Sequence, residues 1–210
     1  MILAVIKLES PKALRVFESV EKTLEKRYRP LLAHDLQEMA PLCWATTVKP
    51  LHAGMVSFLA LDLMIYLRQT PCQFIFSNDL MDFRMQREPL DKSRDLVEEL
   101  VKALGPSPLK ESRMSFRGFG PRIDICLNAL GLLYLDILQS LTQVEANVLS
   151  SLRNLQFEKY KTPMESKTFG LQKHVASALG KSPVAIHKSL RSAKYELAAS
   201  TARSMSEIIG

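Results

Sequence analysis

The sequence predicts an α+β fold, an α/β sandwich followed by an all-helical module, and three observations carry that expectation. Over residues 1–120, short β-branched apolar runs alternate with stretches of helical periodicity, as expected when helices layer on a sheet. From Ile123 onward the helical pattern is almost unbroken. The charge is also lopsided: residues 141–210 hold 10 Lys/Arg against 5 Asp/Glu, whereas residues 1–140 hold 18 against 17. Nearly all of the net charge of +6 therefore sits in the last third, as it would in a polyanion-binding module joined to a neutral domain. The expected units are a dimerisation or sensing domain at 1–120, a connecting helix at 121–140 and a binding module at 141–210.

Ile2 to Leu8 reads as a strand, and Ser10-Pro11 then supplies an N-cap and a first-turn proline for a helix to about Lys26. Leu14, Phe17, Val20 and Leu24 share one face of it. Arg29 to Pro50 is ambiguous, with strand character at Cys43 to Val48. A helix follows over Leu51 to Arg68, and Pro71 stops it before a strand at Cys72 to Ser77. Asp79 to Arg87 alternates Met81, Phe83 and Met85 with polar residues, an exposed strand or hairpin with one sticky face suited to pairing two subunits. Asp91 opens a helix to Leu104, ended by Gly105-Pro106-Ser107-Pro108, and Ser112 to Phe119 makes a last strand. Helices are then expected at Ile123–Ser140, Thr142–Asn154, Leu171–Gly180 and Pro183 to about Ser206. The loop between them, Leu155 to Gly170, carries Lys159, Lys161 and Lys167, as a solvated connector or a phosphate-touching loop would.

Composition narrows the classes. With 47% hydrophobic and 24% charged residues the chain is globular in character. Cys43, Cys72 and Cys126 are odd in number and widely spaced, which argues against a disulfide framework or a zinc site and for a reducing cytoplasm. Met1 to Leu8 is too short for a signal peptide. The most apolar stretch, Leu51 to Leu67, is interrupted by His52 and Asp62 and reads as a buried helix, so no membrane association is expected.

The segment Gln172 to Arg191 matches a helix-turn-helix wherever geometry restricts the choice. Ala176 is small where two helices would cross, and Gly180 stands at the turn, where a left-handed backbone is needed. Val175, Leu179, Ile186 and Leu190 form the apolar seam. Ser182 caps the second helix, with Pro183 at its first position. Pro183, Val184, His187, Lys188 and Arg191 then face outward, able to meet base edges and backbone in a major groove. Gln172, Lys173, Lys181, Ser182 and Lys194 complete the expected DNA-contacting set. Upstream, Thr142 and Glu145 form a capping box that opens a supporting helix. The three helices resemble the tri-helical DNA-binding domains of sigma-factor region four and of response regulators. Lys181 departs from that pattern, standing where most such motifs place an apolar residue, and the loop before the motif is longer than is customary.

Over the whole chain the order of elements resembles the SatD family. That resemblance implies a ferredoxin-like or cyclase-like sandwich, then a helix near Ile123, then a C-terminal helix-turn-helix. In that family an acidic residue follows the first strand and a Gly-Asp-Glu-Phe type hairpin comes after it, which implies a nucleotide- or metal-handling surface. Here the strand runs into Glu9, and the hairpin region offers Thr46-Thr47-Val48-Lys49-Pro50. The Asp-Glu pair is missing and Lys49 brings positive charge where a cation would need oxygen ligands, so the resemblance implies a sensor domain without catalysis.

No catalytic grouping, metal site or cofactor motif emerges elsewhere. The glycines of Phe116 to Arg122 lack nucleotide-fingerprint spacing, and suit a tight turn at a strand end, or a contact with an anion or a base. His34, His52, His174 and His187 are scattered, and Cys43 beside Trp44 reads as core. The expectation is a transcription regulator that binds double-stranded DNA as a homodimer, with a small-molecule or nucleotide ligand open. The alternative is an adaptor or nucleotide-binding protein whose helical module takes a protein partner.

Overall fold

The computed structural model describes residues 1–78, 98, 102, 114–168 and 170–210. Of the helix expected over Asp91 to Leu104, only Glu98 and Lys102 fall within that set. The sticky segment Asp79 to Arg87 and the breaker Gly105 to Pro108 lie outside it.

Among the described residues the fold is α+β, with one five-stranded mixed sheet and seven α-helices. Strand β1 (Ile2–Leu8) leads into α1 (Pro11–Tyr28), where Ser10 Oγ accepts the Ala13 N–H and Pro11 begins the helix. Strands β2 (Leu32–Ala40) and β3 (Cys43–Val48) follow, then a 3-10 turn (Pro50–Met55), helix α2 (Val56–Leu67), and strands β4 (Cys72–Ser77) and β5 (Met114–Arg117). The sheet order is β2-β3-β1-β4-β5, antiparallel throughout except that β4 and β5 run parallel. Helices α3 (Pro121–Gln139), α4 (Gln143–Tyr160), α5 (Gln172–Ala178), α6 (Pro183–Ser192) and α7 (Tyr195–Ile209) complete the chain.

The β2–β3 hairpin turns at Pro41-Leu42, not at Thr46 to Pro50. Pro41 suits the turn, Leu42 takes a left-handed φ of 63°, and its carbonyl accepts the Leu8 N–H at 2.8 Å. Thr46, Thr47 and Val48 are instead the end of β3, paired with Ala4, Leu3 and Ile2. Lys49 lies beyond the strand, its Nζ donating to the Pro30 carbonyl at 2.9 Å.

One sheet face carries Ile2, Ala4, Ile6, Trp44, Phe74, Phe76 and Phe116, all buried in the main core. Phe17 of α1 meets Trp44 with ring centroids 4.8 Å apart, and Phe76 stacks on Phe116 at 5.0 Å. Helix α3 packs on β5 at Gly131, where a Cβ would make ordinary contact at 3.7 Å with Met114 Sδ and the Phe116 ring. Leu3, Val5, Ala45 and Ile75, on the other face, are buried as well.

Helix α2 is apolar nearly all round, and Tyr66 alone of its twelve residues is not fully buried. It packs against α1, α3, α4 and α7. The window Pro50–Leu67 is long and apolar enough to cross a membrane, and 72% of it is buried inside the protein. Its first turn is 3-10 rather than α, with His52 off helical geometry. Gly54 there meets α7 so closely that a Cβ would fall 2.4 Å from Ser206 Oγ and 2.6 Å from the Ser206 carbonyl oxygen. The buried cluster runs unbroken from Ile2 to Met205, taking in Val175, Ile186 and Leu190 on the way.

Two helix boundaries differ from expectation. Helix α4 continues past Asn154 to Tyr160 because Leu152 and Gln156 keep burying the same face, so the connecting loop begins only at Lys161. The single helix expected from Pro183 to Ser206 is broken at Lys194, whose φ of 48° and ψ of 36° are left-handed. The break lets Ala193 and Tyr195, two residues apart, both point into the core.

Candidate nucleic-acid interface

Helices α5 and α6 are joined by a turn whose chemistry is local. Gly180 takes a φ of 61°, the Gly180 N–H reaches the Ser177 carbonyl at 3.3 Å and the Lys181 N–H reaches the Ala176 carbonyl at 2.9 Å. This pair of bonds is a Schellman closure, in which glycine at the left-handed position satisfies the helix's last carbonyls. Lys181 is exposed, so the apolar contact that often accompanies the closure is absent at that residue. Ser182 is extended and its Oγ accepts the Ala185 N–H at 3.2 Å, with Pro183 opening α6.

The seam is buried at Val175, Ala176, Ile186 and Leu190, while Leu179 is only partly covered. Two other helices brace it. The capping box of α4 is complete, with Thr142 Oγ1 accepting the Glu145 N–H and Glu145 Oε2 accepting the Thr142 N–H at 2.8 Å. The Ser192 hydroxyl at the end of α6, and then the Thr142 backbone, hold the Glu145 carboxyl below the usual range. From α7, the Tyr195 hydroxyl donates to Gln156 Oε1 of α4 at 3.0 Å.

What α6 leaves in solvent is Pro183, Val184, His187, Lys188 and Arg191, with Val184 64% exposed. Lys173, Lys181, Ser182 and Lys194 are exposed as well, and Gln172 is half-buried. The structure gathers four of these residues, Gln172, His187, Arg191 and Lys194, around one concavity of about 500 Å³ walled also by Thr168, Tyr195 and one carboxylate, Glu196. Lys173, Lys181, Ser182, Pro183, Val184 and Lys188 do not line it.

The three lysines expected on the loop are all exposed, each with its own local setting. Lys159 belongs to α4 and lies over the Tyr160 ring at 5.1 Å, Lys161 caps α4 with a φ of 55°, and Lys167 pairs with Glu165 at 3.8 Å. The Arg-aromatic-glycine run is internally satisfied: Asp124 accepts the Gly118 and Phe119 N–H groups at 3.1 and 3.0 Å. Those amides are therefore occupied by the chain's own carboxylate.

A buried ionic cluster behind the motif was not evident from local pattern. Asp62 of α2 accepts from Arg27 of α1, from the Tyr28 hydroxyl at 2.6 Å and from Arg153 Nε of α4 at 2.7 Å. Arg153 also donates to the Pro163 and Glu165 carbonyls, and Gln156 donates to the Lys167 carbonyl at 2.9 Å. The cluster thus ties α1 and α2 to the loop that leads into α5. Burial alone would raise the Asp62 pKa, but Arg153 and then Arg27 outweigh it and hold the carboxyl down at about 2. The one sequence signal was a carboxylate in the middle of an apolar helix, since buried carboxylates are rare unless paired.

Comparison of the chain with family models, with curated proteins and with solved structures finds no match.

Proposed function

We propose that this protein is a DNA-binding transcription regulator and that α5, the Gly180 turn and α6 form a helix-turn-helix, with α6 as the recognition helix. The observation that carries the reading is the division of α6 itself: Ile186 and Leu190 are buried against neighbouring helices, while Val184, His187, Lys188 and Arg191 are exposed beyond a capped N-terminus. A helix braced on one side and cationic on the other is what a major groove accepts. The brace from α4 makes the arrangement tri-helical, in keeping with the sigma region-four and response-regulator resemblance.

The N-terminal half is assigned as a ferredoxin-like or cyclase-like sandwich. Its support is the βαββαβ order of β1 to β4 and the strand sequence β2-β3-β1-β4, which is the split βαβ pattern. The β2–β3 turn carries Ala40-Pro41-Leu42 with no carboxylate pair, in line with a sensing or dimerising role rather than catalysis. A homodimer would let two recognition helices add their affinities over two half-sites.

The test is binding of a labelled duplex from the gene's own upstream region, and of genomic fragments, over a salt series. Wild type is expected to bind with a steep salt dependence, and a Lys188→Ala/Arg191→Ala variant to lose affinity with a slope shallower by about 2. Failure of wild type to bind any duplex overturns the reading. The exposed Val184 favours the second reading, a protein partner, whose binding would change little with salt.

A further inference from the structure

The buried ionic cluster is unbalanced. Arg27 and Arg153 are 2% and 1% exposed and share a single carboxylate, Asp62, which leaves one positive charge in the interior without a partner charge in the cluster. An unpaired buried charge is costly, and proteins that retain one generally supply a counter-charge. Arg27 donates to Asp62, to the Tyr66 hydroxyl at 3.1 Å and to Asn154 Oδ1 at 2.5 Å, yet its Nε is buried with no hydrogen-bond partner.

Arg27 is also part of the wall of a hollow of about 320 Å³ between α1 and α4. Lys22, Thr23 and Lys26 line it from one helix and Asn154 and Glu158 from the other. Lys22 and Lys26 are exposed and face one carboxylate, Glu158, beside the net positive charge of the cluster, and the Thr23 hydroxyl and Asn154 amide add neutral donors. We infer that this hollow is a binding site for a small phosphate-bearing anion, whose charge completes the Arg27–Asp62–Arg153 cluster. Lysines supply charge at the mouth, and the Arg27 guanidinium, held behind them by Asp62, Tyr66 and Asn154, adds its positive field.

An anion here would bear on the C-terminal helices through bonds already described, from Arg27 to Asn154, along α4 to Arg153 and Gln156, and so to the 163–167 loop and Tyr195. That consequence for DNA rests on the reading above. The binding site itself does not, and it is tested without DNA.

The probe is inorganic phosphate, titrated into the full chain at constant ionic strength and followed by amide resonances of Lys22 to Arg27 and Asn154 to Glu158. Saturable shifts largest in those segments are expected, with smaller ones along the route to residues 163–167 and Tyr195, and with affinity reduced at least about fivefold in Lys22→Ala/Lys26→Ala. Asn154→Asp places a carboxylate where the amide oxygen already meets Arg27. It is expected to raise the melting temperature and to abolish phosphate binding. Absence of saturable shifts in wild type, or unchanged phosphate affinity in both variants, overturns the proposal.

Discussion

Arg153 Nε lies 2.7 Å from Asp62 Oδ1 across 91 residues of sequence, and both side chains are sealed from solvent. This bond joins the central helix α2 to α4, and through Arg153 to the loop before α5. Replacing Asp62 with Asn keeps the volume but leaves two buried guanidiniums without a carboxylate. We expect a loss of about 3–5 kcal/mol, read as a lowered urea midpoint. A cost within about 0.5 kcal/mol would show that the cluster contributes little.

The same carboxylate sets an acid limit. Arg153 and Arg27 hold the folded pKa of Asp62 at about 2, beneath its value of about 4 in an unfolded chain. A depressed folded pKa contributes stability that is complete above the unfolded value and lost as the pH falls through the folded one. Unfolding free energy should therefore drop by on the order of 2 kcal/mol between about pH 4 and pH 2, and Asp62→Asn should remove most of that slope. Parallel pH profiles for wild type and variant would show that other carboxylates carry the acid transition.

Gly54 and Ser206 report whether α7 is seated on the 3-10 turn before α2. A methyl group at Gly54 would stand 2.6 Å from the Ser206 carbonyl oxygen, which is backbone and cannot swing aside. Gly54→Ala should cost about 1–3 kcal/mol by overpacking and increase amide exchange in α7. Ser206→Gly in the same background would relieve only the contact with Oγ and should restore only part of the loss.

What the sequence made legible was local chemistry. Ser10-Pro11, Pro71, Thr142 with Glu145, and Gly180 followed by Ser182-Pro183 each mark a boundary through their own backbone or cap, and each marks it in the fold. Strand β2 was illegible because it is a half-exposed edge with three register shifts, so Leu32 to Ala40 shows no clean alternation. The cluster around Asp62 was illegible for another reason: its partners come from 35 and 91 residues away, and no window of sequence holds them together. The break at Lys194 lacks any Gly or Pro. Its trace is a slip in register, from Ile186, Leu190 and Ala193 to Tyr195, Ala198, Ala202 and Met205, which leaves Leu197 exposed.

The two left-handed residues that bound α6 should respond in opposite directions. Gly180 has a φ of 61° and open space around it, so Gly180→Ala meets no neighbour and pays only for the backbone conformation, about 1 kcal/mol. Lys194 holds a φ of 48° with a Cβ in place, and Lys194→Gly should relieve that strain and stabilise the protein by about 0.5–1 kcal/mol. Thermal melts of the two variants separate the effects. Lys194 also lines the concavity shared with Gln172, His187 and Arg191, so the stabilised variant should bind duplex DNA more weakly than wild type. A gain in stability with unchanged DNA affinity would remove Lys194 from the interface, whereas a loss of stability would show that the side chain, not the backbone angle, dominates at the α6–α7 corner.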